Sequence, residues 1–351
     1  MNDTNINSRQ KRILEIISQS EGISRFEIKN SLENTFSGSV PTISRDLSFL
    51  LKKGTVHVDG KGRNTRYFPI NSNPLLKYID IDQYFIKEPD QRVETKKNFD
   101  FTILEKLQPL FTSEEIEEIN KVNKSFSNES KTLSKDIYLK ELERFTIELS
   151  WKSSKIEGNT YSLLDTETLI KQGVPSPGHP KEEAIMILNH KQAFESILEN
   201  ISDFSVISIS KISQMHNFLI KNLSISTGIR HQAVGITGTV YQPLDNEWQI
   251  KEALEKYIFV LNKTKFPLEK ALITLAMISY IQPFADGNKR TARMLSNAIL
   301  LASDFYPLSY RSVEETTYKK ALILFYEQGS LYQLKKIVID QYKFALNTYF
   351  K

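Results

Sequence analysis

The sequence predicts a mainly α-helical protein with one small β-hairpin in its helical part and a separate basic domain at its N-terminus. Three observations support this prediction. Apolar residues recur at helical spacing over most of the 351 residues. A glycine-bearing stretch near residue 240 has the short alternating pattern of paired strands. The net charge of +4 lies within residues 1–70, which hold 11 Lys and Arg against 7 Asp and Glu.

The composition excludes several classes of protein. The length allows two or three domains, and 40% hydrophobic residues is ordinary for a globular core. The absence of cysteine excludes disulfides and thiolate metal sites, and none of the five histidines has a metal-binding spacing to another. Because there is neither an apolar run of about 18 residues nor a basic-then-apolar leader, we expect no membrane partner and a cytoplasmic location.

Residues 1–70 have the pattern of three helices followed by a hairpin. Helical spacing covers residues 8–19, a stretch after Ser24, and residues 41–53, which stop at Gly54. Two short strands then flank a turn that carries Gly, Lys and Arg. This order resembles a winged helix-turn-helix domain.

The resemblance implies that the third helix enters the major groove of DNA. Ser44 and Arg45 would then contact DNA from this helix, and Arg63 and Arg66 from the wing. Because the charges are few, we expect phosphate contacts to dominate over base readout. Small winged helices also act as protein-docking modules, and this alternative stays open.

Residues 71–135 are predicted to be a linker and helical extension, with apolar positions over 101–110 suggesting a helix. Residues 136–351 form the main domain. It begins with a long helix over 136–157, which ends at Gly158 and Asn159. Helical patterns follow over 160–171, 182–198, 205–219, 247–262, 267–281, 288–302, 312–328 and 331–350. We interpret His216 as a packed structural residue rather than a catalyst.

The loop between the helices at 267–281 and 288–302 has the features of an anion site. Gly287 permits a tight turn, and the helix that begins near Asn288 offers unpaired N–H groups and the positive end of its dipole. Lys289, Arg290 and Arg293 add positive charge at this helix end. These features suit the oxygens of a polyphosphate ligand.

This loop resembles the active-site motif of the Fic family, which is His-x-Phe-x-Asp/Glu-Gly/Ala-Asn-Gly/Lys-Arg-x-x-Arg. The matching residues are Phe284, Asp286, Gly287, Asn288, Lys289, Arg290 and Arg293. The catalytic histidine of the family is replaced by Gln282. The resemblance implies a Fic-type helical bundle over residues 136–351.

In the Fic family, ATP binds over this loop and a target hydroxyl attacks its α-phosphate, so that AMP passes to a protein. The resemblance places Mg²⁺ on Asp286, and it places the nucleotide on Gly287, Asn288, Lys289, Arg290 and Arg293. Gln282 and Arg290 occupy catalytic positions. Since an amide has no basic nitrogen at neutral pH, Gln282 cannot replace the histidine as a base.

Two further segments resemble parts of Fic proteins. Ser153 and Glu157 match the inhibitory motif Ser/Thr-x-x-x-Glu-Gly/Asn, in which the glutamate pairs with the motif's last arginine, here Arg293. Residues 237–244 lie at the position of the flap, a hairpin on which the target segment docks as an added strand. The flap residues are Thr237, Gly238, Thr239 and Tyr241.

The sequence leaves three functions open. The first is an autoinhibited protein adenylyltransferase impaired at Gln282. The second is a phosphotransferase, because Lys289 also occurs in a phosphate-transferring branch of the family. The third is an ATP-sensing regulator that binds DNA without catalysis. A homodimer is compatible with each of them.

Overall fold

The computed structural model describes residues 6–18, 20, 22–32, 36, 39–53, 55–69, 73–93, 95–130 and 134–349. The side chains of Ser18, Arg63 and residues 125–130 lie outside this description. The chain divides into two compact units, residues 1–78 and 79–351. Residues 79–135 of the predicted extension therefore belong to the second unit.

The described residues of the first unit form three α-helices and a two-stranded sheet. These are α1 (Ser8–Ser18), α2 (Arg25–Leu32), α3 (Val40–Lys52), β1 (Val56–Asp59) and β2 (Arg66–Pro69). The strands pair antiparallel, with Val56 opposite Pro69. Ile13, Ile17 and Leu50 are fully buried between the helices, because each lies on the apolar face of its helix. The predicted helix stop, Gly54, lies outside the described residues.

The regular elements of the second unit, within the described residues, are helices apart from one isolated β-bridge between Asn98 and Gln242. Its helices are α4 (Ile81–Tyr84), α5 (Ser113–Ser130), α6 (Lys135–Ile156), α7 (Leu163–Gln172), α8 (Lys181–Glu199), α9 (Ile209–Ile220), α10 (Glu247–Lys263), α11 (Pro267–Ile281), α12 (Asn288–Leu301), α13 (Glu315–Gln328) and α14 (Tyr332–Thr348). The helices predicted from residue 136 onward are confirmed, whereas α5 was not predicted. None of the described helices is both long enough and apolar enough to cross a membrane.

The core of the second unit is built on α11 and α12. Every residue of α11 after Pro267 is buried, because apart from Glu269 and Lys270 in its first turn the helix carries no charge on any side. The helix packs against α12, which also contacts α6, α8 and α9. The loop 282–287 joins α11 to α12, and the end of α6 approaches the same place. This arrangement positions the candidate site.

Of two predictions of local structure, one is confirmed and one is wrong. The helix suggested over residues 101–110 is present as a 3-10 helix, Phe101–Lys106, which Asp100 caps by accepting from Thr102 N and which ends before Pro109. Residues 237–244 do not form a hairpin. Gln242 N donates to Lys97 O at 2.7 Å, and Thr239 and Val240 bond to Glu327, so this segment pairs with other parts of the chain.

Candidate functional site

The loop 282–287 is bounded by two residues in the left-handed region of backbone space. Gln282 ends α11 with φ 51°, and Gly287 precedes α12 with φ 83°. A Cβ atom on Gly287 would lie 3.4 Å from His216 Cδ2 and 3.3 Å from Ile220 Cγ2. Both the turn and the close packing beneath it therefore favour glycine at position 287.

The side chain of Asn288 stabilises the turn of this loop through hydrogen bonds to its backbone. Its side chain is buried, accepts from Phe284 N at 2.9 Å, and donates to Phe284 O at 2.8 Å. Its amide also donates to Gln282 Oε1 at 2.8 Å, while Gln282 Nε2 donates to Ser279 O at 2.7 Å. Both polar atoms of the Gln282 side chain, Oε1 and Nε2, therefore form hydrogen bonds within the protein.

His216 supports the loop from below, on α9. Its ring stacks on Phe284 with centroids 3.7 Å apart and 6° between the planes. Nε2 lies 2.9 Å from Asp286 O, and because a carbonyl only accepts, Nε2 carries the proton. Burial lowers the pKa of His216 to about 4. These contacts agree with the packed structural role predicted for this residue.

Asp286 and Arg290 pair at the mouth of the loop. Arg290 Nη2 lies 3.2 Å from Asp286 Oδ2, and the other oxygen of Asp286 accepts from Gly287 N. The arginine side chain is 2% exposed and that of the aspartate 69%. No group of three His, Asp or Glu suited to a metal lies within the described residues. An exposed single carboxylate fits Mg²⁺ only if phosphate oxygens complete its shell.

Arg293 is engaged by the last turn of α6. Its Nη1 lies 2.8 Å from Glu157 Oε1, its Nε donates to Ser153 Oγ at 2.9 Å, and its Nη2 donates to Ser153 O at 2.8 Å. Burial raises the pKa of Glu157, but Arg293 and Lys289 outweigh it and hold that pKa below its usual value. The Glu157 carboxylate is therefore charged at neutral pH and occupies the anion-binding edge of Arg293.

Lys289 is a second cation on Glu157. Its Nζ lies 3.9 Å from Glu157 Oε2, and the two side chains are 24% and 19% exposed. The three cations of the loop therefore pair with two different carboxylates in this structure. Arg290 pairs with Asp286, whereas Lys289 and Arg293 pair with Glu157.

The predicted flap, residues 237–244, is held by polar contacts with other parts of the second unit. Thr239 Oγ1 donates to Glu327 at 2.6 Å, and Arg92 donates to Gly238 O at 3.1 Å. Tyr241 is buried and its hydroxyl donates to Tyr280 O at 2.8 Å. Thr237 is exposed.

Arg230 connects the base of the predicted flap to the loop 282–287. Its guanidinium donates to Gln282 O and to Gln232 O, both at 2.6 Å, and also to Leu244 O. Its backbone N donates to Pro283 O at 3.0 Å. The residue is 4% exposed, so these carbonyls satisfy a buried cation.

The residues predicted to contact DNA lie in the first unit. Arg45 is exposed on α3. Ser44 Oγ donates to Val40 O at 2.8 Å and accepts from Arg25 at 3.0 Å. Arg66, at the start of β2, donates to Gly22 O at 2.9 Å and pairs with Glu27 at 3.3 Å. The Arg63 side chain lies outside the described residues.

Three residues that support the loop or the flap were not identified from the sequence. His190, which contacts Ser153, and Glu327 are buried, and Arg92 pairs with Glu327. For His190 the sequence does contain a signal, because its spacing from Ile187, Phe194 and Ile197 places it on the apolar face of α8. For Glu327 no comparable signal exists, since its partners come from distant segments.

The loop, the buried arginines and the helical packing form a candidate anion site within a helical domain. Residues 206–300, which include the loop and the start of α12, match the Fic/DOC family, so the chain contains a Fic/DOC domain.

Relatives named protein adenylyltransferase support this assignment. The Caenorhabditis elegans protein adenylyltransferase fic-1 is 31% identical over 161 residues, covering 44% of this chain and 31% of the relative. The Nematostella vectensis protein adenylyltransferase Fic is 27% identical over 181 residues, covering 49% and 41%. The chain thus spans less than half the length of either relative.

Solved structures show the same fold. A Fic family protein from Desulfovibrio desulfuricans has a TM-score of 0.57 at 23% identity, over 68% of this chain and 75% of that one. Residues 134–508 of Fic-1 from C. elegans have a TM-score of 0.55 at 22% identity, over 66% and 69%. At these identities the likeness concerns the fold alone.

Proposed function

We propose that the Fic/DOC domain is a protein adenylyltransferase domain that binds ATP. In this proposal Glu157 blocks the nucleotide site, and Gln282 impairs the transfer step. The ion pair between Glu157 and Arg293, 2.8 Å long and mostly buried, carries this proposal. A carboxylate there imitates the phosphate oxygen that the same guanidinium would bind. The names of the relatives support the class of reaction.

In the proposed reaction, the hydroxyl oxygen of a target protein attacks the α-phosphorus of ATP. An O–P bond forms, the bond to the β-phosphate oxygen breaks, and pyrophosphate leaves. The hydroxyl proton needs an acceptor. Gln282 has no basic nitrogen, and its Oε1 already accepts from Asn288. Loss of a general base typically costs about 10²- to 10⁴-fold in rate, so transfer by this chain should be slow.

The loop residues have distinct parts in binding ATP. Lys289, Arg290, Arg293 and the N–H groups of Asn288 and its neighbours would hold phosphate oxygens. Mg²⁺ would be held by Asp286 together with phosphate, and it would neutralise charge on the leaving pyrophosphate. Asp286 Oδ2, which now pairs with Arg290, would be the carboxylate oxygen available to the ion.

The flap would align the protein substrate. Its C-terminal part lies near the loop, because the Tyr241 hydroxyl donates to Tyr280 O at the end of α11 and Arg230 donates to both Leu244 O and Gln282 O. An extended target segment could pair with backbone groups here without a demand on its side chains. The target protein is accordingly defined by an extended segment that presents a hydroxyl.

Label transfer from ATP tests the proposed reaction. The chain as it stands should label no protein from α-labelled ATP, whereas E157G/Q282H should label from the α-position. E157G/Q282A is the matched control and should remain unlabelled. Labelling from the γ-position alone would instead establish phosphotransfer. Absence of labelling in E157G/Q282H, with ATP binding intact, would favour a non-catalytic regulator.

A DNA-binding regulator is the second candidate, and the exposed Arg45 on α3 is the observation that favours it. Arg25 adds a second cation through its bond to Ser44. Gel shifts of the full chain on duplex DNA across a salt series test this function. R45Q should weaken binding and lower the salt slope by about 1, whereas K11Q on α1 should not. Absent or salt-insensitive binding would favour a docking module.

A further inference from the structure

Three buried side chains form a continuous hydrogen-bonded row beside Glu157. They are Arg293 on α12, Ser153 on α6 and His190 on α8, and none is more than 1% exposed. Ser153 Oγ lies 2.9 Å from Arg293 Nε on one side and 2.9 Å from His190 Nε2 on the other. The row therefore links three helices within the core.

The direction of each hydrogen bond in this row follows from its chemistry. His190 Nδ1 lies 2.8 Å from Met186 O, and since a carbonyl only accepts, Nδ1 carries the proton. Burial lowers the pKa of His190 to about 3, so its ring is neutral and Nε2 is a bare acceptor. The hydroxyl of Ser153 donates to Nε2, and its oxygen accepts from Arg293 Nε–H. Ser154 Oγ, 3.3 Å from Nδ1, is a second, longer contact.

These bonds fix the orientation of the Arg293 guanidinium. Nε is held by Ser153 Oγ, and Nη2 donates to the backbone oxygen of the same residue at 2.8 Å. Because two donors of the guanidinium bond to two oxygens of Ser153, the plane of the guanidinium is determined. The remaining group, Nη1, lies 2.8 Å from Glu157 Oε1 as an ion pair and has no hydrogen-bond partner of its own among the described residues.

We propose that His190 and Ser153 are positioning residues that keep Nη1 of Arg293 aimed at the place a phosphate oxygen takes when Glu157 withdraws. This inference rests on the proposed function. The last turn of α6 then acts in two opposite ways: Glu157 blocks the anion site, and Ser153, four residues earlier, builds it. Loss of the row should therefore weaken nucleotide binding instead of relieving inhibition.

Nitrogen NMR of the arginine side chains tests the row in the full chain without nucleotide. The Arg293 Nε–H signal is assigned by its disappearance in R293K. We expect its exchange with solvent to be about tenfold faster in H190L and in S153A than in the wild type, which corresponds to one lost buried hydrogen bond. H190Q retains an acceptor near Nε2 and should restore slow exchange. Wild-type exchange in H190L would overturn the proposal.

ATP affinity in the E157G background tests the consequence. E157G/H190L should bind about tenfold more weakly than E157G, and E157G/H190Q within twofold of it. The same affinity in all three would reduce His190 to a packing residue. If E157G itself fails to bind, the proposed function fails, while the exchange measurement still decides the row. If H190L does not fold, S153A takes its place in both comparisons.

Discussion

The guanidinium of Arg92 lies 3.1 Å from Oε1 of Glu327, and their side chains are 6% and 0% exposed. The same carboxylate accepts from Thr239 Oγ1 and from Tyr84 OH, and the Glu327 backbone oxygen accepts from Lys96 N. One buried charge at the end of α13 thus holds both the flap and the segment that precedes the helical core.

Replacing Glu327 by glutamine should loosen the flap. E327Q keeps the shape but leaves the Arg92 charge without a counterion, and breaking a buried pair in this way costs about 3–5 kcal/mol. We expect the amide hydrogens of Val240 and Gln242 to exchange faster in hydrogen-exchange mass spectrometry. E252Q, in an exposed pair with Lys256, is the control and should change neither quantity. An unchanged flap in E327Q would contradict this account.

Lys289 should change its contribution to ATP binding according to the state of Glu157. K289M keeps the apolar stem and removes the charge. In the E157G background K289M should lower ATP affinity about tenfold, because a cation that binds phosphate is lost. In the presence of Glu157 the loss should be smaller, since K289M also weakens the hold on the blocking carboxylate.

Isothermal titration calorimetry of the four proteins gives this coupling as a double-mutant cycle. K256M, at an exposed lysine far along α10, is the matched control. Equal losses in both backgrounds would mean that the 3.9 Å approach of Lys289 to Glu157 has no energetic consequence.

The two buried histidines should make the second unit acid-sensitive below about pH 6.5. Their pKa values are lowered by burial, to about 3 for His190 and about 4 for His216, against about 6.5 in the unfolded chain. Protons therefore bind the unfolded chain first. Each contribution to stability is complete above about pH 6.5 and is lost, as pH falls, by up to about 1.4 kcal/mol per pH unit.

Urea unfolding at pH 7.5, 6.0 and 5.0 measures this effect. The two tryptophans, Trp151 and Trp248, both lie in the second unit, so their fluorescence follows that unit alone. H190Q should reduce the pH dependence, whereas H231Q, at an exposed histidine, should preserve it. A free energy of unfolding that is constant from pH 7.5 to 5.0 would refute this prediction.

The helices were predictable because their apolar periodicity is local. The first residue of each helix was less predictable, because the capping residue determines where a helix begins. Helix α7 was predicted from residue 160 but begins at Leu163, where Ser162 and Asp165 form a capping box. Helix α9 was predicted from residue 205 but begins at Ile209, after the cap Ser208.

The flap and the supports of the site were not predictable in this way. Alternating residues near 240 indicated a hairpin, but Glu327, 88 residues beyond Thr239, takes the polar groups of the segment. Arg293 and Glu157 were identified from the sequence, because each lies in a compact pattern, Arg293 in the loop motif and Glu157 in the inhibitory motif. The row through Ser153 to His190 joins three helices, and no local pattern reveals which polar groups meet in a core.

The affinity for ATP with and without the Glu157 side chain tests the central claim most directly. Calorimetric titration with Mg²⁺ and ATP should show E157G binding at least about tenfold more tightly than the wild type, because the blocking carboxylate is gone. E157Q keeps the size of the side chain and removes its charge, so its affinity for ATP should lie between those of E157G and the wild type. If E157G binds ATP no more tightly than the wild type, Glu157 does not close the site and the account is wrong.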